Sequence, residues 1–363
     1  EHTAHIRSVR GSIPCTATKN QGLGACSNPF LFNRIMKKLL KSDKNNFRPS
    51  LLIRNPHIQS ILASSKIRVL AKQALLHHSE EIIVATSTGS RLIAFLTRAD
   101  TPKGLIILLH GWEGSSSSAY MVDAAAFYYK LGFSVCRLNL RDHGDSHHLN
   151  EGLFHGALLE ETFDAVHYLT SLSSGKPAYL IGFSMGGNFA LRIAHKYSSL
   201  PDIALKCVFA VSPSLDPHKT TLAIDSGYSF YRKYFLKKWK RSLKKKQKLF
   251  PHKYDFSKMM KAQTCMELTE AIMPYYPEFT NYLSYFQLYT LKKDFFENFR
   301  LPVTIFIADD DPVIPRKDFA QLEDNNYLKI FRLKYGGHCG FINLFPMVCW
   351  YNKVIADIIS QAD

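Results

Sequence analysis

The sequence predicts an α/β fold in which a mostly parallel central sheet is covered by helices on both faces and carries an inserted helical cap. Two patterns carry this expectation. Short apolar strands alternate with longer helical stretches, at Leu105 to Leu109, Ser134 to Leu138, Tyr179 to Gly182, Cys207 to Val211, Val303 to Ile307 and Leu328 to Leu333. Continuous apolar strands of this kind belong to a parallel sheet buried on both sides. The alternation then breaks between Ser214 and Arg300, where aromatic and basic residues dominate and no strand pattern appears.

Ahead of the first parallel strand, Ile82 to Ala85 and Arg91 to Leu96 flank a Thr88-Gly89-Ser90 turn, which reads as an opening antiparallel hairpin. Residues 1–33 are polar, rich in Gly, Ser and Thr, and without periodicity, so a poorly ordered leader is expected there. The expected organisation is therefore a leader over 1–33, a core over 34–213 and 301–363, and a helical cap over 214–300. In such a sheet the chemistry gathers at the carboxyl ends of the strands.

Composition sets further bounds. With 363 residues, 46% of them hydrophobic, the chain can bury a large core. No stretch reaches the roughly 18 apolar residues needed to cross a bilayer. The N-terminus lacks both Met and a hydrophobic signal core, so a cytoplasmic location is the default expectation. Seven cysteines without CxxC spacing suit reduced thiols, and neither a metal nor a cofactor is expected. His143, His147, His148 and His155 cluster in sequence but lack the spacing of a metal site.

The net charge of +16 is unevenly spread, with ten of the 46 Lys and Arg residues falling between Arg232 and Lys248. No RNA-binding or helix-turn-helix signature accompanies them, so nucleic acid is not expected as a partner. Phe230, Tyr231, Tyr234, Phe235, Trp239 and Leu243 recur there at near-helical spacing. They would back a face rich in Lys237, Lys238, Arg241, Lys244, Lys245 and Lys248. Either that face is solvated, or it makes peripheral contact with anionic lipid.

The chemistry-bearing motif is Gly182-Phe183-Ser184-Met185-Gly186-Gly187, a GxSxG pentapeptide between an apolar strand and a helical run. A nucleophilic serine needs a sharp strand-to-helix turn whose neighbours lack clashing side chains. The competing reading is a glycine-rich turn that only packs a helix on a strand. An oxyanion hole needs two amide donors, expected from Met185 and, in the loop His110-Gly111-Trp112-Glu113-Gly114, from Trp112. His110 reads as a hydrogen-bonding structural residue.

Chain order then requires an acid followed by a histidine. Asp309, Asp310 and Asp311 share one loop after a strand, and the residues alone leave the choice among them open. His338, between Gly337 and Cys339-Gly340, has the loop position that a general base requires.

Together these motifs resemble the α/β-hydrolase superfamily of serine hydrolases, and more narrowly its YheT-like branch. The likeness extends over Arg54 to about Ile359. It includes Asn55-Pro56-His57-Ile58-Gln59-Ser60-Ile61, His110 to Ser116 and Gly336-Gly337-His338-Cys339-Gly340-Phe341. The resemblance implies an α/β-hydrolase fold. It selects Asp311 as the acid, at the fourth position of a Gly-x-x-Asp-x-x-x-Pro pattern spanning Ala308 to Pro315, with Asp310 as the fallback.

It further implies cleavage of a small-molecule carboxylic ester by a Ser184-Asp311-His338 triad, as in carboxylesterases and lipase-like enzymes. Several members of the branch act on acylglycerols or phospholipids. An acyltransferase, a thioesterase, a peptidase or a non-catalytic binding protein would be the rivals. Two departures stand out: Asp142 where the family shows Gly, and the basic cap. The Pro56-His57 segment reads as an arm that packs on the sheet and does no chemistry.

Overall fold

The computed structural model describes residues 47–72, 77–200 and 205–361. The expected leader lies outside them, as do residues 34–46 of the expected first core segment. Eight strands form one sheet: β1 (Glu80–Ala85), β2 (Arg91–Thr97), β3 (Leu105–Leu109), β4 (Ser134–Asn139), β5 (Ala178–Phe183), β6 (Leu205–Val211), β7 (Val303–Ala308) and β8 (Leu328–Leu333), in the order β1-β2-β4-β3-β5-β6-β7-β8. β1 and β2 are the predicted hairpin, closed by the Thr86 amide donating to Ser90. β2 also runs antiparallel to β4, and every pairing beyond is parallel.

Nine α-helices accompany the sheet among the described residues: α1 (Pro56–Ser64), α2 (Ala119–Lys130), α3 (Leu159–Ser171), α4 (Met185–Tyr197), α5 (Pro217–Ser226), α6 (Ser229–Leu249), α7 (Cys265–Ile272), α8 (Tyr282–Gln287) and α9 (Trp350–Ser360). β3 reads as an unbroken apolar run because both of its faces are covered. In β3, Leu105, Ile107 and Leu109 pack with Phe163 and Val166 of α3 and Phe189 of α4. The intervening Ile106 and Leu108 pack with Met121 and Tyr128 of α2 and Tyr351 and Ile355 of α9. All five β3 side chains are fully buried, each contributing about 1.5–3 kcal/mol of apolar transfer.

The segment between β6 and β7 contains α5 to α8 and no strand. Three of its four helices, all but α6, start at side-chain caps that the sequence supplies. Asp216 accepts from the Lys219 amide at α5, Thr264 from Glu267 at α7, and Asn281 from Ser284 at α8. α6 buries Tyr231, Leu236 and Leu243, and its Phe235 and Trp239 are half-buried against the core. Two of the aromatics expected on that apolar face, Phe230 and Tyr234, are instead exposed.

On the expected basic face Lys237, Arg241, Lys244 and Lys248 are exposed, but not every lysine of α6 reaches water. Lys238 donates to the Glu113 carbonyl and Lys240 to the carbonyls of Met260 and Ala262. Lys246 is 1% exposed. Its Nζ lies 2.7 Å from Asp142 Oδ1 and also donates to the carbonyls of Asn150 and Gly152.

Asp142 is also the residue at which the sequence departs from the pattern it resembles. Asp142 sits at φ 56°, a left-handed conformation that favours glycine, and its second oxygen accepts the Phe154 amide. Burial pushes the Asp142 carboxyl up to about 6 against the attraction of Lys246. A buried pair is costly to break from one side, because the remaining charge stays unpaired. Lys246→Met is therefore expected to cost about 3–5 kcal/mol in urea unfolding, and Asp142→Gly/Lys246→Met to recover most of the loss. Equal instability of the single and double variants would mean that the pair does not anchor α6.

Candidate active site

Ser184 joins the end of β5 to the start of α4 with φ 54° and ψ −118°. A non-glycine residue holds this conformation only when its surroundings impose it. The surroundings are glycines. A Cβ on Gly182 would come within 2.2 Å of the Gly186 carbonyl oxygen, and one on Gly186 within 2.4 Å of the His110 carbonyl oxygen. The motif's spacing thus lets α4 start directly against the loop that follows β3, with the hydroxyl facing open space.

Ser184 Oγ lies 3.0 Å from Nε2 of His338, and Nδ1 of His338 lies 3.0 Å from Oδ2 of Asp311. The other Asp311 oxygen accepts the amides of Val313 and Ile314 at 2.8 and 3.0 Å. Asp310, the fallback acid, accepts the Gly337 amide instead, and Asp309 is exposed. Burial alone would lower the His338 pKa. The charge and hydrogen bond of Asp311 outweigh it and hold the imidazolium well above the usual histidine range.

Met185 is the first residue of α4, so its N–H has no intrahelical acceptor. The amides on either side of Trp112 are engaged, Gly111 with the Tyr120 hydroxyl and Glu113 with Nε2 of His143. Trp112 and Met185 both border the cavity that Ser184 lines. His110 accepts the Leu140 amide and donates to the Gly111 carbonyl, two bonds that define its neutral form. Burial and the nearby His143 lower its pKa well below the ordinary value. The Trp112 indole stacks on Phe235, with ring centroids 5.2 Å apart, and meets Trp239 edge-on, so α6 covers this loop.

The arm before the sheet holds the histidine loop, a role beyond the sheet packing expected of it. Ser60 Oγ accepts the His338 amide at 2.8 Å and donates to the Pro56 carbonyl. Gln59, fully buried, accepts the Ile342 amide at 2.7 Å and donates to the carbonyls of Ile342 and Ile53. The signal was present in the Asn55 to Ile61 segment, but its partner lies some 280 residues away in the chain. Gly337, at φ 55°, closes the contact, since a Cβ there would meet the Pro56 oxygen at 2.3 Å.

Two cavities meet at Ser184. One of about 80 Å³ is apolar, lined by Phe154, Met185, Ile224, Trp239, Ile272 and Tyr276 among others. The other, of about 590 Å³, includes Ser60, Gly111, Tyr120, Lys238 and His338 and opens between α1 and α6. Among the described residues no group of His, Cys, Asp and Glu has the arrangement to hold a metal ion.

Residues 104–343 match the model of the alpha/beta hydrolase fold family, and the chain belongs to that family. It is 24% identical to an abhydrolase domain-containing protein of Dictyostelium discoideum, over 86% of this chain and 80% of the relative. Among solved structures it is similar to an esterase of Pyrococcus furiosus, with TM-score 0.52 and 16% identity, covering 80% of this chain and 95% of the other. It also resembles Est1E of Butyrivibrio proteoclasticus, solved with ferulic acid bound, with TM-score 0.50 and 16% identity over 77% and 98% of the two chains.

Removing the Gln59 amide strands the Ile342 backbone groups, each at a cost of about 1–3 kcal/mol. Native-state hydrogen exchange on Gln59→Leu is accordingly expected to show lost protection at Ile342 and unchanged protection at Leu108 in β3. Unchanged exchange at Ile342 would mean that the arm does not hold the loop.

Proposed function

We propose that this chain is a carboxylic-ester hydrolase of carboxylesterase or lipase-like type, working through Ser184, His338 and Asp311 with Trp112 and Met185 as oxyanion donors. The observation that carries the reading is the unbroken hydrogen-bonded run from the Ser184 hydroxyl through both ring nitrogens of His338 to Asp311, opening on two cavities. In this reading Oγ attacks the ester carbonyl as Nε2 takes its proton. The oxyanion is met by the Met185 and Trp112 amides, and Nε2 returns the proton to the leaving alcohol. Water then repeats the sequence on the acyl-enzyme and frees the acid.

The helical segment between β6 and β7 serves as a cap in this scheme. Its apolar cavity takes the acyl group, and the wider chamber takes the alcohol side. The Asn55 to Ile61, His110 to Ser116 and Gly336 to Phe341 segments support placement in the YheT-like branch. Assaying a chromogenic ester with and without added alcohol or thiol acceptors separates this reading from an acyltransferase: release of free acid without an acceptor supports hydrolysis.

Ser184→Ala is expected to lower kcat by about 10⁶-fold. Asp311→Asn should cost about 10⁴-fold because the imidazole loses the group that holds its tautomer. Asp310→Asn, whose oxygen can still accept the Gly337 amide, should cost far less. Comparable losses at 310 and 311 would refute the choice of acid.

The pH profile gives an independent check. Only neutral His338 can accept the serine proton, so kcat/KM should rise with pH through the histidine pKa. Because Asp311 raises that pKa, the acid limb should lie above the ordinary histidine range, and in Asp311→Asn it should move to lower pH. A limb that stays put would contradict the assignment.

A further inference from the structure

We infer that the mouth of the larger chamber is a docking surface for anionic phospholipid bilayers. The mouth lies between α1 with its following turn and the first half of α6. On the α1 side, Ile61 is 50% exposed and Ile67 81% exposed; on the α6 side, Phe230 is 54% exposed and Tyr234 37% exposed. Ile61, Phe230 and Tyr234 line the chamber itself, so these side chains border one opening. A group of large apolar side chains left in water around a cavity marks an interaction site more often than chance exposure does.

Charge selects the occupant. Neither residues 47–72 nor residues 229–249 contain a single Asp or Glu. Both contain cations, and those that point inward can be set aside. Arg68 lies 2.8 Å from Asp123, Lys72 pairs with the same carboxylate, and Lys246 pairs with Asp142. Lys66, Lys233, Lys237, Arg241, Lys244 and Lys248 remain exposed. The last five recur at i, i+4, i+8, i+11 and i+15 along one outer stripe of α6, about 22 Å in length. Glu113 is the one carboxylate among the chamber's lining residues. Apolar groups at the opening beside an unbroken cationic stripe form the pattern that seats a helix at the headgroup level of an anionic leaflet.

Among the described residues no helix is long and apolar enough to cross a membrane, so the contact proposed is peripheral. It places the opening of the chamber toward the bilayer, and it stands independently of the reaction assigned to Ser184. A purely solvated basic face would account for the lysines but not for the exposed Ile61, Ile67 and Phe230 beside them.

The test is co-sedimentation of the full chain with phosphatidylcholine vesicles with and without phosphatidylserine. Binding should require phosphatidylserine and weaken with salt. Lys233→Gln/Lys237→Gln should lose roughly thirty-fold in affinity, about five-fold per cation. Ile67→Ser should also weaken binding. Lys103→Gln/Lys130→Gln, which removes the same charge next to the amino ends of β3 and β4, should leave it unchanged.

All of these variants, and Ser184→Ala, test docking separately from chemistry. The substitutions outside the site should turn over a small soluble ester normally, and Ser184→Ala should bind vesicles like the unaltered chain. Equal binding to neutral and anionic vesicles would overturn the inference, as would equal loss in the Lys103/Lys130 variant. Self-association in sedimentation velocity that Ile67→Ser abolishes would overturn it too, by assigning the surface to a second copy of the chain.

Discussion

The architecture depends on the strained turn at Ser184. A serine at φ 54° and ψ −118° is held there by close approach on both sides, with Gly182 against the backbone of Gly186 and Gly186 against the carbonyls of Leu109 and His110. That approach requires β3 and β5 to be neighbours and α4 to begin immediately at the sheet's carboxyl edge. One local constraint therefore sets the relation between the hydroxyl, the first amide of α4 and the loop after β3. The buried strands supply the stiffness, since interiors packed at this density do not relax to release a strained residue.

Around this turn the rest of the site is assembled by long-range contacts of different chemical kinds. The histidine loop is held by neutral hydrogen bonds from Gln59 and Ser60 on the arm that precedes the sheet. The helical segment between β6 and β7 is held by Phe235 stacked on Trp112, by Trp239 edge-on to the same ring, by Lys238 on the Glu113 carbonyl, and by the buried Lys246–Asp142 pair. His57 links the two systems through the Tyr231 hydroxyl, 2.9 Å from its Nδ1. Movement of α6 would consequently be felt both at Trp112 and at the arm behind His338.

Local signals carried the elements that were legible in the sequence. β3, β5 and β7 were readable because burial on both faces makes nearly every residue apolar, Thr304 of β7 being the polar exception, and the GxSxG turn because its glycines are a steric requirement. Ser184, Asp311 and His338 were expected together, and they lie in one hydrogen-bonded run. The fates of Lys246, Phe230 and Tyr234 were not readable. Helical periodicity assigns residues to faces, but whether a face meets water or a buried carboxylate depends on Asp142, 104 positions earlier in the chain. The same limit applied to Gln59, whose amide is matched to a backbone that periodicity cannot place.

The proposal rests on Ser184 being the activated hydroxyl, and covalent capture tests that most directly. A fluorophosphonate reacts with a serine in proportion to its nucleophilicity, so peptide mapping after labelling reads the activated residue itself. We predict a single adduct on Ser184, formed in the unaltered chain and lost when His338 is replaced by Ala. An adduct on another serine, or labelling of Ser184 that is indifferent to His338, would contradict the account.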